Sequence, residues 1–164
     1  MIDAIEKRRS IRKYRKRPIP QRDLMELLDA ARIAPSAANR QPWQIIVIQD
    51  ERIKKELVPM CKDQGFIADC SAFLVGIDDP AQKLAKVNLA IAFDHITLAA
   101  VEKGLGTCWI GAFDHDAVAK HLMVPEPLVV TVCMAVGYPA EDPGPRYRKD
   151  MESLFHWEQY GGRR

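Results

Sequence analysis

The chain has 164 residues, 48% of them hydrophobic, with 24 basic and 22 acidic side chains. This length and composition predict one globular domain over residues 1–164 and exclude disordered, collagen-like and repeat architectures. The longest largely apolar stretch, residues 89–101, is too short to cross a bilayer, and the N-terminus turns basic where a signal peptide would be apolar. We therefore expect a cytoplasmic protein that makes no membrane contact.

The first part of the chain predicts two helices, a loop, a strand and a third helix. Apolar residues at helical spacing indicate helices over residues 2–10 and 21–34, and a proline ends the second one. Residues 35–43 contain two prolines and small polar side chains, which is typical of a loop. β-Branched residues predict a strand over 44–48, and the aspartate at position 50 is expected to cap a helix over 51–62.

The middle of the chain predicts a buried strand and one long helix. Residues 72–77 form a short apolar run, as in a strand inside a sheet. Residues 82–103 contain neither proline nor glycine, and from 89 to 101 they are apolar on nearly every side. Such a helix is expected to be buried all round. Because a second subunit would help to cover it in a chain of this length, we expect an obligate dimer.

The last part of the chain predicts two further strands and a short helix. Residues 107–111 are expected to form a short strand or an extended segment. Asp114 is expected to cap a helix that ends near Met123, and residues 128–137 form a long apolar strand. Strands that alternate with helices in this way favour a three-layer α+β domain.

The cysteines and histidines do not form a recognisable catalytic or metal motif. The four cysteines are widely spaced and include no Cys-x-x-Cys pair, so we expect reduced, structural thiols and no metal site. The histidines are isolated, and no nucleophile or phosphate-loop motif is present. The sequence therefore predicts no catalytic side chain, and its candidate site residues are binding residues.

The strongest local signal is a basic run near the N-terminus. Residues 1–17 carry eight basic and two acidic side chains, so the rest of the chain is net acidic. Arg8, Arg9, Ser10 and Arg12 place guanidinium groups and a hydroxyl beside a helix end, and this chemistry suits a phosphate. A solvated basic arm or a nucleic-acid-binding dimer would show a similar run, although no recognised nucleic-acid module is visible.

Five segments in chain order together resemble the nitroreductase family of flavoproteins. They are residues 8–12, 34–43, 104–111, 136–139, and the pair 148–149 with 156–157. The resemblance implies a central mixed sheet flanked by helices, in an intertwined homodimer that holds FMN at the subunit interface. It also implies NADH or NADPH as the electron donor and a small-molecule electron acceptor, with no nucleic acid.

The resemblance also implies a role for each matching residue. The FMN phosphate is expected to meet Arg8, Arg9, Ser10 and one of Arg146, Arg148 and Lys149. Arg12 is expected near the flavin N1 and O2, where a positive charge stabilises the reduced ring. The partner subunit is expected to supply Pro35, Ser36, Ala37 and Asn39. The other face of the flavin is expected to lie against Trp109, Ile110 and Gly111, with backbone N–H groups near N5 and O4.

The implied reaction is a ping-pong transfer of two electrons. A nicotinamide would pass hydride to the flavin and leave, and an electron-poor acceptor such as a nitroaromatic or a quinone would take its place. A second possibility keeps the fold and the flavin but assigns sensing rather than turnover. The sequence leaves open the physiological acceptor and the choice between NADH and NADPH.

Overall fold

The structure, a computed structural model, describes residues 1–164. The helices are α1 (Asp3–Lys7), α2 (Gln21–Arg32), α3 (Glu51–Met60), α4 (Phe66–Asp69), α5 (Ala85–Glu102), α6 (His115–His121) and α7 (Met151–Leu154). The strands are β1 (Tyr14–Arg15), β2 (Trp43–Ile48), β3 (Ala72–Asp78), β4 (Gly106–Ile110) and β5 (Val129–Pro139). Every expected helix and strand is present with ends shifted by a few residues, and β1, α4 and α7 are additional short elements.

Two of the helices begin at the aspartates that the sequence indicated. The side chain of Asp50 accepts hydrogen bonds from the backbone N–H groups of Arg52 and Ile53 at the start of α3. The side chain of Asp114 accepts one from the N–H of Ala117 at the start of α6. Because these bonds satisfy N–H groups that lack a partner inside the helix, they fix where each helix starts.

Strand β5 is the centre of the sheet. It pairs with β3 along one edge and with β4 along the other, while β2 extends the sheet beyond β3 and β1 pairs with the end of β5. All of these strand pairs are antiparallel, and the parallel component is one isolated bridge between Ser10 and Thr107. The sheet, expected to be mixed, is therefore antiparallel apart from this one parallel bridge.

The sheet separates two apolar cores. Cys133 and Ala135 of β5 face the core that includes side chains of α3, α4 and α6. Met134 and Val136 face the opposite core, which includes side chains of α2 and α5. Neighbouring residues of a strand point to opposite faces, so one continuous apolar strand serves both cores. The three-layer α+β architecture expected from the sequence is confirmed.

Helix α5 is buried on the sheet side but not on every side. Leu89, Phe93 and Ile96 are fully buried, whereas Val87 and Asp94 on the same helix are exposed. The expectation of burial all round is thus wrong for a single chain, because the helix packs between the sheet and α2 and leaves one side open. No helix combines the length and the apolar character that crossing a membrane would require.

The last twenty residues extend away from the cores. From 145 to 164 every residue except Gly162 is exposed. This tail carries large apolar side chains, among them Met151, Phe155 and Trp157, and their exposed fractions lie between 46% and 71%. Exposed apolar side chains gathered in one segment are characteristic of an interaction surface.

Candidate functional site

The basic run lies against the first residues of β4. The backbone N–H of Ile11 donates to the carbonyl of Thr107 at 2.9 Å, within the parallel bridge of Ser10 and Thr107. This close approach requires glycine at position 106, because a Cβ there would collide with the side chain of Ile11. The sequence did not indicate this contact, which decides where the basic run lies.

The basic run and the tail together line a polar cavity of about 270 Å³. Its walls are Arg8, Arg9, Ser10, Arg12, Pro143, Gly144, Arg146 and Arg148. Five guanidinium groups meet there without any acidic side chain in the lining. Such a concentration of positive charge favours a bound anion. The expected meeting of the two chain ends is therefore present in the structure.

The arginines of this cavity differ in their availability. The side chains of Arg8, Arg12 and Arg146 make neither a hydrogen bond nor an ion pair within the chain. Arg9 instead donates from Nη1 to the carbonyls of Glu6 and Arg8, at 2.6 and 2.8 Å, and so caps the end of α1. Three guanidinium groups are thus free for a ligand, while Arg9 has a structural task beside the cavity.

The tail residues contribute unequally to the cavity. Arg146 and Arg148 both line it, but Lys149 is exposed and lies outside the lining. Arg148 also donates from Nη1 to the carbonyl of Tyr147 at 3.0 Å. Of the three tail cations that the sequence offered, the two arginines line the cavity and Lys149 does not.

The backbone of Arg12 is held by an acidic residue that follows β5. Its N–H donates to Oε1 of Glu141 at 2.5 Å. This bond fixes the main chain of Arg12 while its guanidinium group stays unbonded. Two groups therefore anchor the backbone of the basic run: the carbonyl of Thr107 and the carboxylate of Glu141.

The far end of β4 presents unpaired backbone donors. The N–H groups of Gly111 and Ala112 donate to no group in the chain. A Cβ at Gly111 would have no heavy atom within 4 Å, so the space above it is open. Strand rise places Gly111 about 13 Å from Thr107. The strand that pairs with the basic run at Thr107 therefore leads to an open pair of hydrogen-bond donors.

Trp109 and Ile110, the other two residues expected here, differ in exposure. Ile110 is buried, whereas Trp109 is 39% exposed. The indole Nε1 of Trp109 donates to Oγ1 of Thr97 at 2.8 Å, and its ring meets Phe93 edge-on at 5.7 Å. Trp109 is thus a fixed, partly open aromatic surface rather than a core residue.

A side chain that the sequence did not indicate supports the end of β4. Gln64 donates from Nε2 to the carbonyl of Ala112 at 3.0 Å and to the carbonyl of Cys61 at 2.8 Å. The two residues before it, Lys62 and Asp63, have left-handed backbone conformations. Only the tertiary structure brings Gln64 to this position, since 48 residues separate it from Ala112.

The second candidate segment, residues 35–39, does not line the cationic cavity of its own chain. It contains a short 3₁₀ turn, Ala37–Asn39, preceded by Ser36 in an extended conformation. The hydroxyl of Ser36 accepts a hydrogen bond from the N–H of Gln41, and Asn39 is exposed. The structure therefore brings together the two ends of the chain but leaves this loop apart.

The four cysteines are unreactive by environment. Burial raises the pKa of Cys61 to about 11 and that of Cys70 to about 12. Burial also raises the pKa of Cys108 and Cys133. Because the thiolate is the nucleophilic form, these protonated thiols are structural, in agreement with the sequence-based expectation.

Comparison with known proteins gives consistent matches over nearly the whole chain. The family model described as the nitroreductase family matches residues 5–79 and 63–138. A putative NADH dehydrogenase/NAD(P)H nitroreductase of Archaeoglobus fulgidus is 34% identical, with 86% of each chain covered. A protein of the same description from Methanothermobacter thermautotrophicus is 30% identical, covering 98% of this chain and 87% of the relative.

Solved structures show the same fold. An FMN-dependent nitroreductase of Clostridium difficile superposes with a TM-score of 0.88 at 27% identity, covering 97% of this chain and 99% of the other. The NADPH:FMN oxidoreductase of Vibrio harveyi, solved in complex with NAD⁺, superposes with a TM-score of 0.91 at 25% identity, covering 97% of this chain and 77% of the other. The matched family model, the relatives and the shared fold all lead to one assignment: this chain belongs to the nitroreductase family.

Proposed function

We propose that this chain is an FMN-dependent NAD(P)H oxidoreductase. The observation that carries the proposal is a five-arginine cavity whose basic run pairs with β4, the strand that leads to an open pair of backbone donors. An anionic phosphate at one end and a hydrogen-bonding ring at the other are the two parts of FMN that need recognition. The names of the relatives, which include FMN reductases of Bacillus subtilis, support the same cofactor.

The donor set fits the phosphate group of FMN. We assign the phosphate to Arg8, Ser10, Arg146 and Arg148, because all four line the cavity and guanidinium groups form strong, directed bonds with phosphate oxygens. Arg9 acts mainly through the position of the run, since its Nη1 is engaged with two carbonyls. Lys149 stays a candidate for longer-range charge compensation from the edge of the site.

The end of β4 fits the ring of FMN. When bound, FMN would supply two-electron hydride chemistry at its N5 atom. The chain would orient it through the free N–H groups of Gly111 and Ala112, against the partly exposed ring of Trp109, while the buried Ile110 would contribute only its backbone. Arg12 would place its unbonded guanidinium beside the N1 and O2 edge, where negative charge develops.

We further propose that the site is completed in a homodimer with FMN at the interface. Pro35, Ser36, Ala37 and Asn39 lie away from the cavity of their own chain, which supports their action in the partner's site. The open side of α5 and the apolar tail provide surface for such a partner. Residues 1–164 would form a single FMN-binding domain within this dimer.

The electron donor and the acceptor would use the same open face in turn. NADH or NADPH would bind first, and a small electron-poor acceptor such as a nitroaromatic or a quinone would follow. This ping-pong scheme needs no protein nucleophile, because the bound flavin would carry the two electrons between the two substrates. Turnover rather than sensing is favoured by the oxidoreductase names that the relatives carry.

The test is reconstitution followed by reduction. The purified chain is mixed with excess FMN, separated from free flavin and exposed anaerobically to NADH or NADPH. We expect a yellow protein that loses its colour with at least one of the two donors and regains it with a nitroaromatic or quinone. Parallel lines in double-reciprocal plots would identify the ping-pong order. A chain that retains no FMN after reconstitution would refute the proposal.

A further inference from the structure

The long helix α5 carries two buried polar side chains in an otherwise apolar inner face. Asn88 and Thr97 are 4% and 3% exposed, among apolar residues such as Leu89, Ala92 and Phe93. A buried polar side chain weakens a core unless it forms a hydrogen bond. The role of each of these two side chains is therefore indicated by the group to which it is hydrogen-bonded.

Each of the two side chains bonds one of the segments expected to bind FMN. Oδ1 of Asn88 accepts a hydrogen bond from the backbone N–H of Ala37, at 3.3 Å. Oγ1 of Thr97 accepts one from the indole Nε1 of Trp109, at 2.8 Å, and its hydroxyl donates to the carbonyl of Phe93. One helix thus holds both the flavin loop, residues 35–41, and the aromatic surface of β4.

The flavin loop needs such support because its backbone is strained. Ala38, Asn39 and Gln41 have φ angles of 51°, 53° and 49°, which is the left-handed region that side chains other than glycine rarely occupy. Conformations of this kind persist only where surrounding contacts determine them, and they cluster at functional sites.

The bonds inside the loop set its shape but not its position. The hydroxyl of Ser36 accepts from the N–H of Gln41 at 3.0 Å, and Gln41 donates to Asn39 from its side chain. Toward the rest of the chain, Arg40 reaches Gln82 only at 3.5 Å and at the surface. The bond to Asn88 is part-buried and comes from a rigid helix, whereas the bond to Gln82 is exposed, so the bond to Asn88 is the better anchor.

We propose that Asn88 and Thr97 are positioning residues for FMN: Asn88 fixes the flavin loop through Ala37, and Thr97 fixes the indole of Trp109. The inference rests on the proposed function, because both residues act on segments assigned to FMN. Neither residue touches the cofactor itself. Because the flavin loop would serve the partner's site and Trp109 the site of its own subunit, α5 would support both FMN sites of the proposed dimer from one rigid element.

The test compares variants that remove the bond with variants that keep it. Asn88→Leu and Thr97→Val preserve side-chain size and remove the acceptor, whereas Asn88→Asp and Thr97→Ser retain an oxygen. We expect FMN dissociation constants to rise about tenfold in the first pair and to stay within about threefold of wild type in the second. Asn88→Ala, which removes the same acceptor with less bulk, replaces Asn88→Leu if that variant fails to fold.

Two further measurements separate positioning from general stability. Leu57→Ala removes a buried side chain in α3, on the opposite core, and is expected to lower the melting temperature without weakening FMN binding. Hydrogen exchange in the full chain without added FMN is expected to accelerate in residues 36–41 of Asn88→Leu and to stay slow in Asn88→Asp.

The proposal is wrong if Asn88→Leu and Thr97→Val bind FMN like the wild type, or if the oxygen-retaining variants fail equally. It is also wrong if Leu57→Ala weakens FMN binding as much as they do, or if exchange of the loop is unchanged in Asn88→Leu. A wild-type chain that binds no FMN would refute the proposed function instead, and hydrogen exchange would still decide whether Asn88 holds the loop.

Discussion

At the scale of single residues, the arginines of the cationic cavity share a positive charge but differ in whether the guanidinium group is free to bind a ligand. Arg8 and Arg12 keep their guanidinium groups free, whereas Arg9 uses its Nη1 to cap α1. Neighbouring arginines in one run therefore have different tasks, and residue type alone does not distinguish them. The difference lies in the hydrogen bonds that Arg9 donates to the carbonyls of Glu6 and Arg8, which its neighbours do not make.

The first prediction concerns retention of FMN. Arg8→Ala and Arg148→Ala should each raise the FMN dissociation constant by roughly ten- to a hundredfold, because a hydrogen bond to a charged group contributes about 1.5–3 kcal/mol. The flavin-free protein should keep its melting temperature, since neither side chain forms an ion pair in the chain. Fluorescence titration with FMN and thermal unfolding measure both quantities.

The control for this prediction is Arg52→Ala. Arg52 is an exposed arginine of α3 and does not line the cavity. Its removal should leave FMN binding unchanged. Equal weakening by all three substitutions would show that overall positive charge, rather than the cavity, attracts the cofactor.

The second prediction separates Arg12 from the phosphate ligands. Arg12→Gln should lower the midpoint potential of the bound flavin, because it removes a positive charge that favours the reduced ring, while FMN remains bound. For a two-electron couple, a decrease of about 30 mV corresponds to about 1.4 kcal/mol. Reduction by the nicotinamide should slow accordingly. Spectroelectrochemical titration of the wild type and the variant gives the potential.

The contrasting variant is Arg8→Ala, which should weaken retention with little change in potential. If Arg12→Gln instead lost FMN and kept the wild-type potential when saturated, Arg12 would be a phosphate ligand. Both residues line the same cavity, so the structure makes this a direct comparison of two neighbouring guanidinium groups.

At the scale of elements, β4 organises the site. Gly106, its first residue, packs against Ile11 of the basic run, and Gly111 and Ala112, which follow its last residue, leave their N–H groups open. Helix α5 crosses behind it and contributes Thr97 to Trp109. Strand and helix are rigid, so the two ends of the candidate site keep a fixed separation without a loop between them.

The third prediction compares two glycines at the two ends of β4. Gly106→Ala should destabilise the flavin-free protein by about 1–3 kcal/mol, because its Cβ would collide with Ile11. Gly111→Ala should leave stability nearly unchanged, since nothing in the chain lies within 4 Å of the added Cβ. Chemical denaturation of both variants without FMN measures the difference.

At position 111 the substitution is expected to affect FMN binding, although it leaves the stability of the flavin-free protein nearly unchanged. If the ring approaches this backbone closely, Gly111→Ala should weaken FMN binding despite its normal stability. A Gly111→Ala variant with wild-type affinity would place the ring elsewhere. A fully stable Gly106→Ala variant would show that the basic run can shift away from β4 without cost.

At the scale of the whole molecule, one chain holds the cationic cavity and the flavin loop in different places. The loop does not line the cavity, the tail is exposed, and α5 has an open side. The proposed second copy of the chain, which would receive the loop and cover the apolar surface, would account for all three observations.

The fourth prediction tests this arrangement by complementation. Arg8→Ala damages the site of its own subunit, and Asn39→Ala is expected to damage the site of the partner. A heterodimer of the two variants would then carry both defects in one site and none in the other. Unfolding and refolding a mixture should restore FMN binding to about half of the sites in heterodimers.

Flavin stoichiometry in purified heterodimers, isolated through two affinity tags, gives the result. Homodimers of either variant are the matched controls and should bind FMN weakly. If both sites of the heterodimer were defective, the loop would act on its own subunit. A folded monomer loaded with FMN in sedimentation analysis would contradict the dimer itself.

The sequence by itself determined the helices and strands that form the layers of this protein, because hydrophobic periodicity and helix caps depend only on residues that are close in the chain. The spacing of Leu24 and Leu27, the cap at Asp50 and the apolar run of β5 each predict their element without any distant contact. It also indicated the basic run, and the order of five short segments indicated the family. Neither inference required knowledge of how the chain folds.

Only the tertiary structure decided which residues meet. The sequence left Arg146, Arg148 and Lys149 equivalent, and the path of the tail past β5 brings the two arginines to the cavity. The bonds from Asn88 to Ala37 and from Gln64 to Ala112 join residues about fifty positions apart. Such contacts depend on the packing of α5 and α4 against the sheet. No local pattern in the sequence indicates which residues that are far apart in the chain will meet.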